Sequence, residues 1–245
     1  MDSLAHARYS DLEFNAPMSG AHARELIATL RPLTDLSIVD LGCGWAELLL
    51  RALEAERTAV GVGVDRDPAA ITRARGNAET RGVVDRVRLE RKDATQWSGK
   101  ADVSIVIGAS HAWGGTRATL SAVRQLLRPG GRLLLGEGIW EQPPTEPALA
   151  ALDAEPDDFT TLSELVDLCL ECGYRLLALS TATPHEWDHF ESRYCAGRER
   201  WLLEHPDAPN AAEVRNEIDT HRNGWLRGYR GVLGFAYLTL AAPAH

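Results

Sequence analysis

Two carboxylates bracket a glycine turn near the start of the chain. Asp40 stands two residues before Gly42-Cys43-Gly44, and Asp65 follows the next apolar run, about 20 residues on. An acid at that second position accepts hydrogen bonds from the two hydroxyls of a ribose. Glycines without Cβ let the backbone turn tightly and let a ligand come close. Asp40 suits a ligand ammonium. A dinucleotide site wants a third glycine in G-x-G-x-x-G, whereas this run reads Gly42-Cys43-Gly44-Trp45-Ala46-Glu47, with Glu47 adding negative charge to a helix's first turn. The residues therefore ask for a ligand with a ribose and an amino group but no phosphate.

The elements that must hold these groups form a βαβ unit. Ile38, Val39 and Leu41 make a short apolar strand into the turn, and Leu48, Leu49, Ala52 and Leu53 recur at helical spacing. Ala59 to Val64 is a second apolar strand that stops at Asp65. Upstream, Ser19 is placed to cap a helix from about Ala21 to Leu30. Downstream, Pro68 opens a helix that Gly82 stops, and Val87 to Lys92 alternates as a third strand ending at Asp93-Ala94. A strand-end Asp either meets a ligand or caps the next turn.

Asp102 to Ala109 reads as a central, nearly all-apolar fourth strand. At its carboxyl end, Gly108-Ala109-Ser110-His111-Ala112-Trp113 falls where open α/β sheets bind ligands. His111 either faces that ligand or caps the following helix. Arg128 to Gly131 reads as a tight turn into a fifth strand, Arg132 to Gly136, with Glu137 just beyond it. Glu137 is a general base, a ligand for a substrate cation, or a salt-bridge partner for an arginine.

Ordered along the chain, Asp40-Leu-Gly-Cys-Gly, Asp65, Lys92-Asp93-Ala94, Ile107-Gly-Ala-Ser110 and Leu127-Arg-Pro-Gly-Gly-Arg132 resemble the motifs of class I S-adenosylmethionine-dependent methyltransferases. The family usually carries glycine where this chain has Ala46. The resemblance covers roughly residues 35 to 140. It implies a doubly wound α/β sheet of seven mostly parallel strands in the order 3-2-1-4-5-7-6, the last antiparallel, with helices on both faces. It also implies S-adenosyl-L-methionine as cofactor and S-adenosyl-L-homocysteine as product. Asp65 and Arg66 would flank the ribose, Asp93 and Ala94 the adenine, and Asp40, Gly42, Cys43 and Gly44 the methionine end. Gly108 and Ala109 would line the same site, with His111 and Glu137 left to act on the acceptor.

By the same resemblance, residues 1–245 are one methyltransferase domain with an N-terminal arm over residues 1–30, in which Tyr9, Asn15 and Met18 are further cofactor contacts. Substrate-cap insertions are expected at 139–158, a proline-punctuated loop, and 184–230. The second holds a long helix from Pro184 to about Leu203 and another from Asn210 to Arg227. Trp187, Phe190 and Tyr194 share a helical face there; with Trp113 and Trp140 they either pack the core or face substrate. A substrate-facing row would stack on an apolar ring or box an amine. Tyr174 to Thr181 and Gly231 to Leu240 complete the strands.

Other patterns carry less. His185-Glu186-Trp187-Asp188-His189 matches H-E-x-x-H, yet Asp188 intrudes and the motif starts in a helix's first turn, so no metal is expected. Cys169 and Cys172 read as helix cysteines. Acidic residues outnumber basic ones 35 to 26, which opposes nucleic acid or an anionic membrane as partner. With 44% hydrophobic residues, no signal-like start and no membrane-length apolar run, the expectation is a soluble, reduced, cytoplasmic protein. The function expected is methyl transfer to an oxygen or nitrogen of a small metabolite or natural product. An NAD-dependent oxidoreductase and a non-catalytic nucleoside-binding protein are the alternatives.

Overall fold

The computed structural model describes residues 9–243. Seven main strands follow the order β3-β2-β1-β4-β5-β8-β7, from β1 (Ser37–Leu41), β2 (Val60–Asp65), β3 (Val87–Arg91), β4 (Ala101–Ile107), β5 (Leu127–Trp140), β7 (Arg175–Thr181) and β8 (Leu233–Ala241). This is the expected order with one strand added: β6 (Thr160–Thr161) pairs parallel with the end of β5 and shifts the later numbering. Strands β1 to β5 pair in parallel and β8 runs antiparallel to β7.

The central parallel strands β4 and β5 are apolar because both faces are covered. Val103, Ile105 and Val106 of β4 and Leu133, Leu134 and Leu135 of β5 have no exposed surface. Each such side chain contributes about 1.5–3 kcal/mol by burial. Helices α1 (Gly20–Thr29), α2 (Glu47–Ala55), α3 (Pro68–Thr80), α4 (Thr116–Leu126) and α6 (Leu162–Glu171) connect them. Ser19 caps α1 by accepting from the His22 amide at 3.1 Å, as its position predicts, and Asp67 caps α3.

Three boundaries depart from the sequence reading. The 139–158 stretch holds a helix, α5 (Glu146–Leu152), despite its prolines. Pro147 sits in the first turn, where no amide hydrogen is needed, and Thr145 caps the end by accepting from the Ala148 amide. Arg128 to Gly131 belongs to β5, with the Gly130 amide bonded to the Ala242 carbonyl and the Ala242 amide to Gly131. The same strand runs on to Trp140, so Glu137 lies inside β5, one residue past its last pairing with β4 (Ile107 with Gly136).

The chain divides into two compact units. The sheet unit comprises Ser19–Glu137, Ser163–Thr181 and Ala236–His245. The other takes in Met1–Met18, Gly138–Leu162 and Ala182–Phe235, described from Tyr9 on. This helical unit is built on α7 (Pro184–Glu204) and α8 (Ala211–Gly224), joined through Cys195, Leu202, Ala211, Val214 and Ile218. A π-helical turn, Trp225–Tyr229, ends α8 and packs with Ala148 and Trp187. Of the expected arm over residues 1–30, the first eight lie outside the described residues; Leu12, Phe14, Ala16 and Met18 are buried. No helix among the described residues is long and apolar enough to cross a membrane.

Candidate active site

Strand β1 sits between β2 and β4, so Asp40 lies opposite Gly63 on one side and Ile105 on the other. The chain then turns at the point where the sheet's connections diverge. The Gly42 and Cys43 amides both donate to the Val64 carbonyl, at 2.8 and 3.0 Å, which pins the turn against the end of β2. Gly42 has φ +79°, and a Cβ there would stand 2.6 Å from the Ala109 Cβ. Glycine is required at this position both by conformation and by space.

Ala46 precedes α2 in the left-handed conformation, φ 59° and ψ 22°. This is the position where the sequence departs from its resembled family. A left-handed alanine costs roughly 1–2 kcal/mol. Its methyl is fully buried, which returns about 0.8 kcal/mol, and a glycine would bring its own unfolded-state entropy, about 0.4–1 kcal/mol. These terms nearly cancel, and alanine is tolerated.

Asp65 ends β2 with its carboxylate held at both oxygens. Oδ2 accepts from the Gly44 amide and Oδ1 from the Asp67 amide, each at 2.8 Å. The acid is thereby fixed at the mouth of the glycine turn. Asp40 is buried, and burial first, then the Asp65 charge, pushes its carboxyl up to about 8. The same two acids and burial raise the Cys43 thiol, which stays neutral beside Gly44.

At the end of β3, Asp93 Oδ1 accepts from the Thr95 amide at 2.9 Å and the Thr95 hydroxyl at 2.6 Å. Asp93 is thus a capping residue, the plainer of its two readings, and its cap fixes the carboxylate at the sheet's carboxyl edge. These hydrogen bonds, with the Arg66 charge, hold it below its ordinary range. Ala94 follows, buried, as the first residue of a 3-10 turn.

Beyond β4, Gly108 (φ 63°) leads to Ala109 and a short 3-10 turn, Ser110–Trp113. His111 is exposed there and caps nothing, since α4 begins at Thr116 behind Gly115 without a side-chain cap. Ser110, which the sequence reading left without a role, donates to Glu137 Oε2 at 2.9 Å. The two residues are 27 apart in the chain, and nothing local announces their pairing. Glu137 Oε1 is buried without a hydrogen-bond partner among the described residues. Burial pushes this carboxyl up to about 7, against the lowering effect of Ser110. Among the described residues Glu137 makes no salt bridge, one of its three possible readings.

Glu47 requires a correction. It lies in the first turn of α2, but its Oε1 is bonded by Arg51 Nε at 2.7 Å and by Arg81. Two arginines neutralise the charge, so Glu47 gives no argument against a phosphate; the missing third glycine still does.

In the helical unit, Trp187, Phe190 and Tyr194 form the expected row, with ring centroids 6.2 and 6.5 Å apart. Tyr229 and His221 pack against it at 6.4 and 4.6 Å. Trp140 is buried, with its indole donating to the Pro156 carbonyl at 2.8 Å. Trp113 lies in the sheet unit, half-buried. Within H-E-x-x-H, Glu186 closes a capping box with Thr183, and the intervening Asp188 takes a two-point contact from Arg230. Cys169 is buried, its thiol raised to about 12 by burial.

Residues 39–133 match the family described as "Methyltransferase domain". The uncharacterized protein YjhP of Escherichia coli (strain K12) is 30% identical over 237 residues, 95% of each chain. A SAM-dependent methyltransferase of Geobacter sulfurreducens, solved in complex with S-adenosyl-L-homocysteine, superposes with a TM-score of 0.90 at 29% identity over 98% of both chains. The chain belongs to the S-adenosylmethionine-dependent methyltransferases. A second such methyltransferase, from Thiobacillus denitrificans and also bound to S-adenosyl-L-homocysteine, gives 0.89 at 29% identity over 99% of both. The cofactor of this methyltransferase is accordingly S-adenosyl-L-methionine. The chemistry of the turn fits that group: a carboxylate at Asp65 able to accept from a diol, open space at Gly44 where a side chain would stand, and a buried acid at Asp40 for a cationic ligand.

Proposed function

We propose that this methyltransferase acts on a small molecule, at an oxygen or nitrogen whose proton Glu137 removes. The observation that carries the reading is the Ser110–Glu137 pair, just beyond the carboxyl end of β4 and the last β4–β5 pairing. One oxygen of Glu137 is held by a hydroxyl, the other is buried and open to a new partner, and the carboxyl titrates at about 7. A base poised at the working pH is what proton removal requires.

The cofactor residues are assigned on the same footing. Asp65 takes the ribose hydroxyls, with Arg66 beside it, and Asp93 and Ala94 take the adenine edge. Asp40 and the Gly42-Cys43-Gly44 turn hold the methionine end, and Gly108 and Ala109 line the approach. Bound there, S-adenosyl-L-methionine supplies a methyl already made electrophilic by its sulfonium. The acceptor's lone pair forms the new bond to the methyl carbon as the carbon–sulfur bond breaks. Its proton passes to Glu137 Oε1, while Ser110 keeps the carboxylate oriented. The protein's further contribution is alignment of the acceptor for in-line transfer. His111, exposed beside Ser110, positions the acceptor, and Trp113 offers it a ring face.

The substrate class rests on the acidic balance, 35 against 26, and on the absence of the Asn-Pro-Pro-Tyr or Pro-Cys runs that nucleic-acid methylases carry after the fourth strand. Incubation with methyl-tritiated S-adenosyl-L-methionine and separate metabolite, protein and RNA fractions of a lysate tests it. Label entering the metabolite fraction supports the reading. Label in RNA or protein alone overturns the substrate class while leaving the methyltransferase in place.

A further inference from the structure

In the helical unit, each buried side-chain nitrogen or oxygen left without a partner among the described residues is a donor. They are Trp187 Nε1, Trp225 Nε1, and Nε and Nη2 of Arg198. Folded interiors leave few such groups, and each asks for an explanation. Arg198 is the most demanding, being a cation only 3% exposed. Its remaining nitrogen, Nη1, reaches Glu217 Oε2 at a long 3.5 Å, and that glutamate is half exposed.

The two open nitrogens, Nε and Nη2, form one edge of the guanidinium. Elsewhere in this chain the same edge of Arg230 grips Asp188, Nε on Oδ1 and Nη2 on Oδ2, both at 2.8 Å. A two-oxygen planar anion is the natural complement of that fork. The buried carboxylate on the same helix, Glu191, is already engaged: Tyr229 donates to Oε1 at 2.7 Å and His221 bonds Oε2 at 2.6 Å. The face of Tyr194 is also taken, with the Arg198 guanidinium 4.9 Å from its centroid. Tyr229, moreover, comes from the π-helical turn, a rare element that recurs at functional sites.

We infer that the open edge of Arg198 is a binding site for the carboxylate of a small organic acid. A ligand of this kind satisfies both nitrogens at once. An amine, one of the ligands the aromatic row first suggested, would set a donor among donors. The site is closed in this structure, so binding requires α7 and α8 to part locally, and association is slower than for an open groove. The assignment of the fork stands independently of the methyl-transfer reading above.

The test is calorimetry and thermal shift with acetate, benzoate and succinate, set against acetamide, benzamide and inorganic phosphate. Each is measured on the wild type, Arg198→Met and Arg198→Lys, with affinity for S-adenosyl-L-homocysteine as the control for folding. The wild type is expected to bind at least one carboxylate and neither amide. Arg198→Lys, which keeps the charge and loses the fork, should weaken it ~10-fold or more, and Arg198→Met should abolish it. Should Arg198→Met fail to fold, the lysine variant decides. Binding of phosphate alone, of no carboxylate, or of carboxylates equally by all three proteins overturns the inference. Loss of carboxylate binding with cofactor affinity kept, in the variants, separates this site from the cofactor site.

Discussion

At the level of single residues, burial pushes two carboxyls, Asp40 and Glu137, well above the ordinary carboxylate range. Asp40 titrates near 8 because of burial and the Asp65 charge, so between roughly pH 4 and 8 the folded protein holds a proton the unfolded chain has lost. Stability without cofactor therefore falls as pH rises through that window, and Asp40→Asn should flatten the fall in a series of thermal denaturations. A cationic ligand favours the ionised acid. Cofactor binding at neutral pH should release a proton, read by calorimetry in two buffers of different ionisation enthalpy; the asparagine variant should release none. Glu137 follows the same sign over a narrower range, from its ordinary value to about 7. In turnover, kcat/KM should climb to a plateau above about pH 7, and Glu137→Gln should remove that limb and lower the rate ~10²–10⁴-fold. Ser110→Ala deletes the hydrogen bond that lowers Glu137, so its limb should move to higher pH. Replacing His111 with Ala should cut turnover more than cofactor affinity. Asp40 and Asp65 were legible in the sequence as acids near strand ends, and Glu137 as an acid beside the fifth strand. Ser110 was not, because its partner is supplied by a neighbouring strand.

Among elements, the βαβ turn was readable from glycine and acid spacing, and its geometry explains why. Gly42 is wedged against Ala109, so Gly42→Ala combines a left-handed alanine with a 2.6 Å clash. The expected result is a loss of at least ~2 kcal/mol in denaturant unfolding. Helix α7 was equally plain from Pro184 at a first-turn position, and the structure adds a capping box of Thr183 and Glu186 at its start. Thr183→Ala should cost about 1 kcal/mol and lower the melting temperature by roughly 2–4 °C. Helix α5 stayed hidden because proline density reads as loop, although a proline in a first turn is compatible with a helix. Glu137 was placed after a strand rather than in it, because β5 continues by pairing with β6, a two-residue strand with no pattern of its own. The π turn after α8 has no sequence signature; Gly228 there packs so closely on α5 that a Cβ would stand 2.8 Å from the Pro147 carbonyl oxygen.

Across the whole molecule, likeness to methyltransferases extends well beyond the motif-bearing residues 39–133 to 98–99% of the chain, helical unit included. The motifs announced the sheet and the cofactor. In the helical unit the sequence showed two helices and an aromatic spacing, but not the meeting of buried Glu191 with half-buried His221 and buried Tyr229, which are 30 and 38 residues from it on the next helix and its π turn. With acidic residues in excess, 35 to 26, the protein should pass through a heparin column at low salt, and firm retention would count against a small-molecule acceptor. We propose that the Gly42–Asp65 unit holds the cofactor through Asp65. Calorimetric titration of S-adenosyl-L-methionine, S-adenosyl-L-homocysteine and NAD into the wild type and Asp65→Ala tests it most directly. The two sulfur nucleosides are expected to bind tightly, weakened ~10–100-fold by the substitution, and NAD not at all. Binding of NAD, or sulfur nucleosides bound equally well by Asp65→Ala, would contradict it.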